Sequence, residues 1–498
     1  KVIDETNNPN PPDLTPSQLQ DFQVGVVNIE ENESRSPIPY VIPPGIDREQ
    51  LQGSTRIQFQ NEQSLSMKVK SIPAGETRAV YKNVSIDLRM YKHLKMFIHA
   101  EGLVSNVPLI DDEFQGIIKL GSDLNDNYYQ LEYPLKVTDF SSTSPEDIWK
   151  NNMDVVLKHL GKLKLLRFEE GIAPNIIYPA FGAVSPIEGL EGYQIRVKGN
   201  PSLSNVRVIM LGVKNNSDHR SSGEIWFNEL RVSEFDNDGG WAAVVSADAN
   251  FADFADVSVT GRVETIGFGG IEQRVNERSQ DETKLYDVVT NINLGKVLPK
   301  TWGIQLPLNY SISEEVRDPK YDPQFQDVLF DEAKDINPNS DKSRDYTKRK
   351  SISLINVRKE RSNTNPDKKQ RFYDVENFSV SYAYNETQHK NYNIKKYLDQ
   401  NVRASANYNH SFKPLSIEPF KNWGFLTKNK YLKFIKDFNF NLLPSTISVN
   451  SNIIRSYNEQ NARSLVESLP ELPTLKQRNF MFDWDYNIGY NLTKSLQF

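Results

Sequence analysis

FMFDWDYNIGYNLTKSLQF, residues 480–498, alternates apolar and polar side chains with scarcely a break. Counting every second residue gives Phe480, Phe482, Trp484, Tyr486, Ile488, Tyr490 and Leu492, with Met481, Asp483, Asp485, Asn487, Gly489, Asn491 and Thr493 between them. Successive side chains of a strand point to opposite faces, so one face here is greasy and aromatic and the other is wet. A strand of a soluble sandwich alternates in the same way, but over about five or six residues. A strand that crosses a membrane needs about 9–11 tilted residues, and Trp and Tyr suit a lipid boundary. The run therefore predicts a strand of an outer-membrane barrel. Trp484, Tyr486, Ile488, Tyr490 and Leu492 are expected to face lipid, and Asp485, Asn487, Asn491 and Thr493 the lumen.

The pattern recurs upstream. From Trp241 the positions 241, 243, 245, 247 and 249 alternate with Ala242, Val244, Ser246, Asp248 and Asn250. Val257, Val259, Gly261 and Val263 follow, then Tyr286, Val288, Thr290, Ile292 and Leu294, then Ile304, Leu306, Leu308, Tyr310 and Ile312. Pro307 weakens that last candidate as a central strand. Further candidates span about 350–358, 372–387, 400–413, 437–443 and 446–455, which with the terminal run makes about ten strands. The connections near 251–255 and 295–302 read as short turns, and 267–283 and 315–349 as long loops. Short turns on one side and long loops on the other are expected of outer-membrane barrels. That parity is lost after residue 400, where 414–436 is long and carries a predicted helix around 431–436.

The first half of the chain differs. Residues 1–50 read as a proline-rich extended arm or linker, punctuated at Pro9, Pro11, Pro12, Pro37, Pro39, Pro43 and Pro44. Residues 51–235 carry short alternating runs at roughly regular spacing, which predicts a jelly-roll or β-sandwich domain. One helix is expected inside it, capped by Ser144, opening at Pro145 and closing at Gly161. Asp236 to Gly240 reads as the junction before the long strands of 241–498.

The chain has 498 residues, a net charge of −6 and no cysteine. That excludes disulfides, thiolate zinc sites and thiol nucleophiles. Scattered mixed charge argues against a nucleic-acid groove. No stretch approaches 18 consecutive apolar residues, so no membrane helix is expected, a criterion blind to barrel strands. The six histidines form no metal pair at helical spacing. Asp123, Asn125 and Asn127 resemble the start of a calcium loop but lack its glycine and closing glutamate, and they read as ordinary turn residues. Gly267 to Gly270 opens no helix and lacks the Lys-Ser/Thr of a phosphate loop. No catalytic, cofactor or metal residue is expected, and the chain reads as no enzyme. Phe498 reads either as a terminal aromatic assembly signal or as a cut within a longer chain.

At Gly269-Gly270-Ile271-Glu272-Gln273-Arg274-Val275-Asn276-Glu277-Arg278-Ser279-Gln280 the sequence resembles the SprA/Sov family, outer-membrane translocons of the type IX secretion system of Bacteroidota. Further matches are Tyr286-Asp287-Val288, Leu298-Pro299-Lys300-Thr301-Trp302, Pro319-Lys320-Tyr321-Asp322-Pro323, Glu224 to Val232, Asn441 to Ser445, Arg455 to Gln460 and Pro39 to Pro44. The resemblance implies a very large single-chain barrel of the 36-strand class, of which this chain would be a piece. It implies export of folded cargo and a part in gliding motility. Implied partners are a PorV-type shuttle barrel at a side gate, a periplasmic plug protein, a prolyl isomerase and a lipoprotein.

The expected fold is therefore all-β: a soluble jelly-roll or β-sandwich domain followed by antiparallel transmembrane barrel strands. The expected location is the outer membrane, with the sandwich in the periplasm, in the lumen or at the cell surface. The alternatives are a cell-surface adhesin or carbohydrate-binding sandwich, a surface glycosidase and a small-solute uptake barrel.

Overall fold

The computed structural model describes residues 21–48, 50, 59–103, 108–188, 190, 192–336, 340–361, 371–423, 431, 433–464 and 470–493. Phe498 and Pro9 to Pro12 lie outside the described residues. The chain forms two units, one of residues 1–239 with 271–278 and 320–340, the other of 240–270, 279–319 and 341–498.

The first unit is a sandwich of two five-stranded sheets. Its strands are β1 (Phe22–Asn28), β2 (Gln63–Ile72), β3 (Thr77–Ile86), β4 (Tyr91–Gly102), β5 (Phe114–Gly121), β6 (Tyr128–Pro134), β7 (Asn151–Val156), β8 (Gln194–Lys198), β9 (Val206–Asn215) and β10 (Ser221–Phe235). One sheet runs β1-β2-β10-β4-β7 and the other β3-β9-β5-β6-β8. Inward residues of both sheets, among them Met67, Ile98, Ile225, Ile118, Leu131 and Val213, meet in one core, as alternation on two facing sheets requires.

The segment read as an arm contributes to this unit. Its β1 pairs with β2. Beyond it Ile38 and Tyr40 are fully buried and join Val27, Phe97, Ile148, Trp149 and Trp226 in a second core. Arg35 reaches both Glu101 and Glu224 there, at 2.5 and 2.9 Å. Glu224 also accepts from Ser66 Oγ and Trp226 Nε1, so the buried carboxylate is paired and hydrogen-bonded as burial demands.

The predicted helix divides. Ser144 caps only the turn Pro145–Ile148, accepting from Asp147 N. Residues 151–156 then form β7, because Met153 and Val155 go to the core while Asp154 between them meets His93 and Lys95. The full helix, α1 (Leu157–Glu169), comes after it. Gly161 lies inside α1. A Cβ there would come within 2.8 Å of the Asp327 carbonyl oxygen, so the glycine admits residues 320–336, which include α2 (Phe330–Ile336). Phe325, Val328 and Ala333 of that segment pack on Leu165 and Phe168 of α1.

The second unit is one long antiparallel meander. Its strands are β11 (Ala242–Phe251), β12 (Ala255–Glu264), β13 (Asp281–Asn293), β14 (Ile304–Gln305), β15 (Pro307–Pro319), β16 (Asp345–Lys359), β17 (Phe378–Lys390), β18 (Ile394–Ser411), β19 (Ser416–Ile417), β20 (Phe440–Asn441), β21 (Thr446–Ala462) and β22 (Leu475–Gly489). The ten-stranded sheet runs β11-β12-β13-β15-β16-β17-β18-β21-β22, with β14 on β16 and with β19 and β20 as a separate pair. Pro307 is the first residue of β15, where a missing N–H is tolerated. The sheet is open among the described residues: β11 and β22 each have one neighbour.

The loop parity expected from sequence breaks earlier than residue 400. Residues 360–377 form a long connection at the end where 252–254 is short, and 391–393 a short one at the other end. The reason is that β17 and β18 run on past their apolar stretch. Their continuation, through Glu386 to Lys390 and Ile394 to Gln400, is mostly polar, so it carries little alternation to read.

Candidate functional site

The feature with functional content is the long sheet, and the register builds it. Residues directly opposite on paired strands share a face. One such row crosses nine strands: Phe251, Ala255, Ile292, Leu308, Leu354, Tyr382, Ala404, Ile453 and Phe482. Every member is apolar or aromatic. On the opposite face another row reads Ser246, Thr260, Asp287, Ser313, Arg349, Thr387, Asp399, Asn458 and Gln477, and every member is polar.

Among the described residues of this unit, neither face is covered by a second layer. Among the described residues of this unit Ala255 is the one buried hydrophobic side chain, while Trp484, Tyr486 and Ile488 are 56 %, 63 % and 63 % exposed. Patches of exposed apolar surface beyond a few hundred Å² mark an interaction surface on a soluble protein. The polar face is laced across strands instead: Asn309 Nδ2 donates to Asn291 Oδ1 at 2.5 Å, Ser351 Oγ to Asn385 Oδ1 at 2.7 Å and Asn452 Nδ2 to Asp483 Oδ2 at 3.1 Å.

The apolar residues form a slanted belt. On β22 it runs from Phe480 to Ile488 and on β11 from Ala243 to Phe251. Its centre is Trp484 on β22, two residues past the Phe482 row (484 − 482), and Ala247 on β11, four residues before that row (247 − 251). Six residues of drift over eight strand steps is roughly 20 Å in roughly 38 Å, a tilt of about 30°. Phe480 to Ile488 then covers about 23 Å along the normal, against about 25 Å for an outer-membrane apolar band.

Polar groups mark one edge of the belt. Tyr457 OH donates to Glu459 at 2.9 Å and Lys396 pairs with the same carboxylate at 3.2 Å. Tyr384 donates to Glu386, which also accepts from Gln400 Nε2 at 2.7 Å. Lys348 meets Glu314 at 2.7 Å. Each carboxylate on this face thus has a donor or a cation beside it. Arg455, opposite Phe480, and Lys350, opposite Ile312, are charged residues within the belt, where a long side chain can snorkel toward the edge.

Of the residues singled out from sequence, Trp484, Asp485, Tyr486, Asn487 and Ile488 lie on β22, with Asp485 opposite Asn450 and Asn487 opposite Ser448. Tyr490, Asn491, Leu492 and Thr493 lie past the end of that strand. Tyr490 OH donates to the Asn441 carbonyl, and the Leu492 and Asn491 carbonyls accept from Asn441 N and Nδ2 at 3.0 and 2.6 Å.

The remaining constellations make hydrogen bonds and ion pairs within the fold. Asp123 Oδ1 accepts from the backbone N–H groups of Asn125, Asp126 and Asn127, an Asx-turn arrangement. These bonds hold its carboxyl below the ordinary range against the upward pull of burial. Among the described residues no group of three or more His, Cys, Asp or Glu side chains is placed to hold a metal. Trp149 and Trp226 of the sandwich are buried and offer no face to a sugar ring. Asp236 pairs with Lys320 at 2.9 Å.

Sequence reasoning missed Asp327. Its carboxylate accepts from Tyr129 OH at 2.6 Å, Lys164 Nζ at 2.9 Å, Leu203 N at 2.6 Å and Ser202 Oγ at 3.3 Å. Both side chains of the Lys164–Asp327 pair are fully buried. A lysine inside a helix and an aspartate in a loop carry no spacing signal that joins them.

Residues 3–333 match the family model SprA_N, described as motility related/secretion protein. The chain belongs to this family. A comparison with curated proteins found no match. The SprA match covers the residues of the sandwich and the strands up to β15. The strands from β16 onward lie beyond it, yet they continue the same two rows without a change of face.

Proposed function

We propose that the long sheet is a stretch of the wall of an outer-membrane β-barrel, the export pore of the type IX secretion system, which also serves gliding motility. The observation that carries this reading is the pair of opposed rows, one apolar and one polar over nine strands. In lipid every backbone group must be bonded internally, and a barrel does so by pairing each strand on both sides. Closure then requires further strands beside β11 and β22. The apolar face meets lipid through Trp484, Tyr486 and Ile488, and the belt's height and slant fit a bilayer.

The other face lines a water-filled lumen with Asp485, Asn487 and the Asn, Ser and Thr ladder. Such a lining lets a folded cargo protein pass without a greasy surface to hold it. Transport through it takes no chemical step, so no cofactor and no catalytic residue are assigned. A PorV-type shuttle barrel and a periplasmic plug protein are the proposed partners, with a prolyl isomerase and a lipoprotein as accessory ones. The family's motility and secretion description supports this reading. Deleting the gene should trap cargo proteins in the periplasm; unchanged secretion would overturn it.

A further inference from the structure

The connection between β18 and β21, residues 412–445, differs in composition from the rest of the chain. Its described residues hold four lysines, Lys413, Lys421, Lys433 and Lys436, against two carboxylates, Glu418 and Asp437, a net of +2 (four minus two), in a chain whose total is −6. The connection also holds eight aromatic residues in 34. Among the described residues four of these rings form a continuous cluster. Phe420 meets Trp423 edge-on at 5.5 Å and Phe438 at 6.2 Å, and Phe438 meets Phe440 at 6.3 Å. Water reaches this cluster freely: Trp423 is 60 % exposed. Phe434, in the short helix Lys433–Lys436 that falls within the one expected around 431–436, is 76 % exposed.

We infer that the described residues of this connection, 412–423 and 433–445, form an interfacial anchor that binds the anionic headgroup layer of the bilayer. Aromatic rings beside lysines match the interface, where an amphipathic ring has apolar and polar surroundings at once. Lysines near a leaflet are drawn to its phosphates. Continuity with the belt selects the membrane over a protein partner. The apolar-face column of β18 runs through Ala404, Ala406, Tyr408 and His410, and the His410 ring meets Phe412 edge-on at 4.5 Å. Asn441 of β20 binds Leu492 and Asn491 just beyond β22. The cluster therefore begins where the lipid face ends, and the inference rests on the barrel-wall reading.

The chain has no cysteine, so single cysteines can carry a polarity-sensitive dye. The full-length protein, cysteine-free otherwise, would be labelled at Phe434→Cys or at Ile488→Cys. Each would be reconstituted in phosphatidylcholine, or in phosphatidylcholine with phosphatidylglycerol at three to one, with brominated lipid as quencher. The inference expects quenching at both positions, with that at 434 at least doubled by phosphatidylglycerol. Replacing Lys413, Lys421 and Lys436 by Gln should remove the doubling, and replacing them by Arg should keep it. Quenching at 488 without quenching at 434, or quenching at 434 indifferent to phosphatidylglycerol, overturns the anchor and leaves the wall intact. No quenching at either position overturns the wall reading, and the anchor with it.

Discussion

Asp327 brings a charge into a place that excludes water, and four donors hold it there. Removing one partner of such a buried pair leaves the other charge unpaired, at a cost of about 3–5 kcal/mol. Asp327→Ala should therefore strip protection from residues 320–333 in hydrogen exchange and lower the sandwich's melting temperature. Gly161 makes a sharper case. Glycine to alanine within a helix is normally worth about 1 kcal/mol in the alanine's favour. Here the new Cβ would meet a backbone oxygen at 2.8 Å, so Gly161→Ala should destabilise the docked segment. A gain in stability would contradict the seating of that loop. Burial beside Asp327 raises the Tyr129 phenol well above its ordinary value, which keeps it a donor through the physiological range.

Glu224 gives a pH prediction. Burial alone would raise its carboxyl, but Trp226 Nε1, Arg35, Ser66 and Lys68 outweigh burial and hold it below its ordinary value of 4.5. A lowered carboxyl contributes stability that is complete above the unfolded value and fades as pH falls through the folded one. Hydrogen exchange at the Tyr40 amide, which donates to the Asn32 carbonyl, should accelerate as pH drops below 4.5, after correction for the intrinsic rate. Glu224→Gln should abolish that acceleration while weakening the arm at neutral pH.

At the scale of elements, the faces of the long sheet follow from period-two alternation, which is why they were legible in sequence from Ala243 to Phe251 and again from Phe480 to Ile488. Register keeps them continuous. On β16 the pairing steps from Leu354–Tyr382 to Val357–Val380, three residues against two. A bulge absorbs the extra residue, with Asn356 at φ 58°, and Val357 stays on the apolar face. Asn356→Gly should be neutral. Asn356→Val should lose about 1–2 kcal/mol, because a branched side chain resists the left-handed region, read as a lower unfolding midpoint in detergent. Face identity makes a stronger prediction. Ala404→Arg at mid-belt should cost about 2–4 kcal/mol and impair membrane assembly, whereas Ser405→Arg on the polar face should assemble normally. Equal tolerance at both positions would contradict the assignment of faces. What sequence did not disclose were elements whose signal lies elsewhere in the chain. The split of the predicted helix depends on β4 pairing with β7, and the seating of residues 320–336 depends on a glycine in α1. The ends of β17 and β18 were lost because polar strand residues resemble loop.

At the scale of the molecule, the chain passes between its two units at 239/240, 270/271, 278/279, 319/320 and 340/341. Loops of the long sheet thus supply parts of the sandwich, which local alternation could not predict although it did separate two kinds of β-structure. An open sheet of nine consecutive strands with exposed faces and two free edges would aggregate in water. What the apolar face meets therefore decides whether the sheet is a membrane wall. The most direct test places single tryptophans at 404 and at 405, neighbours on β18 that point to opposite faces, in the full-length protein reconstituted with brominated lipid. Strong quenching at 404 and little at 405 is the predicted result. Equal quenching at both, or none at either, would contradict the claim that this sheet is a membrane wall with a wet inner face.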